Sequence, residues 1–184
     1  MTPSQLATLK SAILAETAPA FVTLRQANNE QGMADYYNAD SGSVVWQTEA
    51  PVSAVQDAID YTAYTPNGTI DGTAAVTNRL LAAQTKQINL QLMLQGKTTL
   101  DATPNRVRAA LLDATTNLPT GTNGAIQSAA GTDGARVLNA LTRPATRGER
   151  LYTASATTTG AVSAFRLSFE GNVTAQDVSD ALRA

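Results

Sequence analysis

The sequence predicts a mainly α fold: a helical bundle around one long central helix, with a small C-terminal β-hairpin or strand pair. Three observations carry this. Residues 72–96, GTAAVTNRLLAAQTKQINLQLMLQG, form the longest run without a breaker, with a Gly at each end. Shorter amphipathic runs on either side are punctuated by Pro, Gly or Asn-Asn. Only residues 161–169 alternate with the two-residue period of a strand. We read 1–184 as a single domain in four stretches: short helices over 1–61, the long helix over 72–96, helices and a flexible loop over 104–141, and a strand pair with a terminal helix over 142–184.

The elements follow in order. In TPSQLATLKSAILAE, Thr2 caps a helix, Pro3 takes its first position and Gln5 completes a capping box. Leu6, Leu9, Ile13 and Leu14 make its stripe. A second helix runs over about 20–28 with Phe21, Val22 and Leu24, and a third over about 30–38 with Met33, Tyr36 and Tyr37. Ser43 to Thr48, SVVWQT, is strand-like. Trp46, the only Trp, has two readings: a core anchor, or an interface anchor of the kind enriched at binding hot spots. Pro51 opens a helix to about Tyr61. Pro66-Asn67-Gly68 is a turn.

The long helix follows Asp71, its expected cap. Its good helix formers place Val76, Leu80, Ala83, Leu90 and Leu94 on one line, with Leu81, Ile88 and Leu92 beside it as one broad stripe. Pro104 opens a helix capped by Thr103, with Val107, Ala110, Leu111 and Ala114 inward. Arg106 and Arg108 sit in its first turn, against the preference of the helix dipole. That placement fits either a solvated pair or cations with an external partner. Residues 117–134 hold two similar pieces, Gly121–Gly124 and Gly131–Gly134. Neither lies in the strand–loop–helix frame of a phosphate cradle, so the stretch reads as a surface loop that orders on assembly. A short helix over 135–141 ends before Pro144.

Beyond it, Arg143, Arg147 and Arg150 share the spacing of one helical face. Residues 153–160 read as a loop. In 161–169, Phe165, Leu167 and Phe169 form the buried half of the alternation, with Leu151–Ala154 as a hairpin partner. Thr174 caps a last helix with Asp177 at the capping-box position.

Composition narrows the function. A 43% hydrophobic fraction supports a core, while charged residues are only 15% and aromatics 5%. So sparsely charged a surface associates easily. Without His or Cys, the commonest general base, the commonest metal ligand and all thiol chemistry are missing. A net charge of -2 leaves no footprint for specific nucleic-acid binding. No run is long and apolar enough to span a membrane and no signal peptide opens the chain, so synthesis in the cytosol of its host is expected. Glu149, Glu170 and Asp177 are the only acids near the C-terminal segment, and nothing in the sequence fixes them as a catalytic pair. We assign no catalytic, metal-binding or cofactor-binding residue.

The C-terminal residues Arg143, Thr146, Arg147, Glu149, Leu151, Tyr152, Phe169, Glu170 and Gly171, with the loop, strand and short helix around them, resemble a family of small tailed-bacteriophage and prophage proteins. The opening MTPSQL…LK…ILA resembles that family's start, and Trp46 falls near a Val-Trp-x-Thr element of some members. The resemblance covers about a third of the chain. It implies a virion structural protein, not an enzyme: most nearly a head–tail adaptor in the neck, forming a homo-oligomeric, twelvefold connector ring between the portal protein and the tail tube or nozzle. DNA would pass through such a ring without specific binding. Arg106, Arg108, Arg143, Arg147, Arg150 and Trp46 are the candidate protein-interface residues. The alternative is a tail-completion, tail-accessory or capsid-decorating protein of the same virion. In each case the protein is expected in the virion, assembled in the bacterial host cytoplasm.

Overall fold

The computed structural model describes residues 1–59, 61–64, 74–116 and 132–184. Helix dominates. The helices are α1 (Pro3–Ala15), α2 (Pro19–Gln26), α3 (Glu30–Asn38), α4 (Val52–Asp57), α5 (Ala74–Leu94), α6 (Asn105–Thr115), α7 (Thr132–Ala140), α8 (Arg147–Arg150) and α9 (Ala175–Arg183), with a 3-10 turn at Tyr61–Tyr64. The strands are short: β1 (Asp40–Trp46), β2 (Ala50–Pro51), β3 (Thr99–Leu100), β4 (Thr142–Thr146), β5 (Thr157–Thr159) and β6 (Val162–Ala164). They pair two by two, β1 with β4, β2 with β3 and β5 with β6.

The chain forms two compact units. The first holds Met1–Val45, Pro144–Ala156 and Ala164–Ala184; the second holds Trp46–Arg143 and Thr157–Ser163. The helix α5 is the longest of the described residues, but it packs on α6 and the 3-10 turn, within the second unit. The mainly α class with small antiparallel strand pairs is as expected, and α5 is the long helix of the second unit.

The first unit is made from both ends of the chain. Thr2 and Gln5 close the capping box of α1, and Leu9 and Ile13, one turn apart, bury its inner face. Arg25 of α2 donates to the carbonyls of Ile13 (2.7 Å) and Leu14 (2.9 Å), so the open end of α1 is satisfied by its neighbour. At the start of α2, Glu16 Oε1 accepts from the N–H groups of Thr17 and Ala18, both at 2.9 Å. Those backbone bonds, Ala18's foremost, hold the Glu16 carboxyl below its ordinary value. The helix α9 lies on α1 and α3, with Val178 and Ala181 fully buried among Leu9, Ile13 and Met33. Asn38 completes the join: its side chain donates to Val173 O and accepts from Val173 N, each at 2.8 Å.

In the second unit α6 packs on α7 and α5, and α4 packs on α7. The register of β2 and β3 is antiparallel, Ala50 opposite Leu100. Gln47 is its backbone rivet. Its N–H donates to Leu141 O (3.0 Å), its carbonyl accepts from Ala102 N (2.9 Å), and its amide donates to the carbonyls of Ala140 (3.3 Å) and Thr142 (2.9 Å).

Several expectations change in detail. The cap of α6 is Pro104, while Thr103 turns away to bond Asp101; Ala110 is exposed. Residues 132–134 are helical, with Gly134 packed close on Leu112 and Thr116. The loop 153–160 contains β5. The buried members of the 161–169 alternation are Val162 and Ala164, whereas Phe165, Leu167 and Phe169 are half-buried. The hairpin expected with Leu151–Ala154 survives as a single antiparallel bridge, Thr153 to Leu167. The turn at 66–68, the Asp71 cap and residues 117–131 lie outside the described residues.

Two substitutions test this packing. At Gly148 an added Cβ would sit 2.6 Å from Val173 Cγ2 and 3.4 Å from Tyr37 O. We predict that Gly148→Ala destabilises by about 1–3 kcal/mol, read from the urea midpoint. The Tyr37 hydroxyl is buried and has no hydrogen-bond partner among the described residues. Tyr37→Phe should therefore be neutral or stabilise by up to about 1 kcal/mol; a clear loss of stability would mean that the hydroxyl is satisfied after all.

Candidate interaction surfaces

The six candidate interface residues part company. Trp46 and Arg108 are buried inside the second unit, at 0% and 1% exposure. Trp46 is thus a core anchor, and the interface role expected of these two is corrected: neither side chain has surface to offer.

Their burial has a clear cause. A guanidinium cannot shed its proton to escape a dry site, so it must find acceptors. Arg108 Nη1 donates to the carbonyls of Ala102 (2.7 Å) and Thr103 (2.6 Å), Nε to Thr159 Oγ1 (3.0 Å), and Nη2 to Thr157 Oγ1 (3.3 Å). The Thr157 hydroxyl also accepts from Trp46 Nε1 at 3.0 Å, and the guanidinium lies over the Trp46 ring, 4.4 Å from its centroid. Arg108 thus fastens the start of α6 to β5 and to Trp46. Its place against the helix dipole is offset by these internal acceptors.

Arg106 is exposed on α6. Arg143 is half-buried in β4, so it does not share a helical face with the other two. Arg147 and Arg150 are the first and last residues of α8. Arg147 covers the Tyr36 ring at 4.2 Å, and Arg150 covers Phe165 at 3.6 Å while bonding the Thr153 hydroxyl. Both stack on aromatics of the first unit with one flank still in solvent.

The carboxylates have structural roles. Glu149 is buried; Oε2 accepts from Thr146 N (3.1 Å) in the capping box of α8, and Oε1 accepts from Gly171 N (3.1 Å). The T-x-x-E signature of that box stood in the sequence at 146–149 and was readable. Asp177 closes the capping box of α9 and meets the Met1 ammonium at 3.3 Å. Burial pushes its carboxyl up, but the Thr174 hydroxyl, the Thr174 N–H and the ammonium outweigh it and leave the pKa below its ordinary 3.8.

The structure adds a surface on α5 that the periodicity did not separate. Leu90 and Leu94 are buried as expected, but Leu81, Ile88 and Leu92 are 59%, 55% and 66% exposed. These three belong to an outer stripe, not to the buried one. Beside them, a groove of about 790 Å³ runs between α4, the 3-10 turn and the second half of α5. Val52, Tyr64, Leu90 and Leu94 form its apolar floor; Tyr61 and several Gln stand at its rim.

Among the described residues no group of three or more acidic side chains is placed to hold a metal ion, and no helix is long and apolar enough to cross a membrane. Comparisons with protein-family models, curated proteins and solved structures give no significant match.

Two outcomes are expected. Arg108→Ala should cost about 3 kcal/mol or more, since four charge-assisted hydrogen bonds and a ring contact go together, whereas Arg106→Ala should stay within about 0.5 kcal/mol. Because its folded pKa is depressed, Asp177 stabilises above its ordinary value and loses that contribution as pH falls through the folded one. Stability should therefore drop below about pH 4, and Asp177→Asn should flatten that drop, as read from urea midpoints across pH 2–6.

Proposed function

We propose that this chain is a structural component of a tailed-phage virion, an adaptor at the head–tail junction that forms a ring between portal and tail. One observation carries the reading. Of the stretches that bear the family resemblance, residues 1–15 and most of 142–182, far apart in sequence, fold into the first unit, while Trp46 and residues 157–163 belong to the second. In the first unit the resembling residues do connected work. Thr146 and Glu149 build α8, and Glu149 also holds Gly171. Tyr152 donates to Gln5 O at 2.8 Å and stacks edge-on to Phe169.

The role is assembly. A sparsely charged chain with exposed apolar residues on a long helix suits a molecule that other subunits cover. The partners under this reading are further copies of the chain, the portal protein above and the tail tube or nozzle below. Arg106, Arg143, Arg147 and Arg150 are the candidate cations for bidentate contacts with them. DNA passes through the ring without being read.

The copy number in purified particles, by quantitative mass spectrometry against the portal protein, tests this. Parity with the portal is expected. About half that number would favour a sixfold tail component, and hundreds of copies a capsid decoration. Absence from the particle would end the virion reading.

A further inference from the structure

We draw no further inference here: the strongest candidate, the cleft of the first unit between the start of α1 (Ser4, Gln5, Thr8) and residues 151–154, carries none, because its Thr8, Thr153 and Ser168 hydroxyls already donate to backbone carbonyls of the same unit and nothing in the structure shows what covers it.

Discussion

The docking of α9 on α1 and α3 is the contact that the first unit cannot do without. Val178 and Ala181, with Val173 just before α9, enter a cluster whose other buried members come from the first forty residues. The cost of closing so long a loop grows only slowly with its length. It is met here by apolar burial and by the paired Asn38–Val173 bonds. Once α9 is seated, Gly148 can lie against both Val173 and Tyr37, which explains why no larger side chain fits there. The aromatic trio of Phe21, Tyr36 and Tyr37, with ring centroids 4.7–5.6 Å apart, then stiffens the α2–α3 corner.

The second unit is organised differently, around a buried cation. Arg108 is held by backbone carbonyls and threonine hydroxyls, a set that fixes direction as well as charge. Its acceptors come from the turn before α6 and from β5, so the site can form only when these elements are in place together. This gives the unit a defined interior despite few aromatics. Among the described residues α5 packs on α6 and the 3-10 turn, and its Leu81, Ile88 and Leu92 stay exposed.

Much of the first unit was legible because its signals are local. The Thr2–Gln5 and Thr174–Asp177 boxes are written within four residues, and both are formed. Pro19 and Asn29 mark the starts of α2 and α3 in the same way. Arg108 was not legible as a core residue, because its threonine partners lie about fifty positions later and carry no mark of that role. The strand over 161–169 shows a second limit. Its period was right, but a turn at Gly160, with φ of +55°, pairs β6 with β5, and beyond it Phe165 bridges Val45 while Leu167 bridges Thr153. One alternation therefore serves three different neighbours, and the buried half is not the aromatic half. On α5, periodicity identifies apolar lines but cannot say which line the chain itself covers. That distinction separates the buried Leu90 and Leu94 from the exposed Ile88 and Leu92.

The proposed function leans on both ends of the chain making one cooperative fold. Native-state hydrogen exchange, on the wild-type chain and on Leu9→Ala, tests that claim most directly. The amides of α1 and α9 should open with the same free energy, and the substitution should lower both by the same amount, within the roughly 2–5 kcal/mol typical of a buried Leu-to-Ala change. If α9 instead exchanges at a lower free energy than α1 and is untouched by Leu9→Ala, the two ends do not form one unit. The convergence of their resembling residues would then lose its meaning.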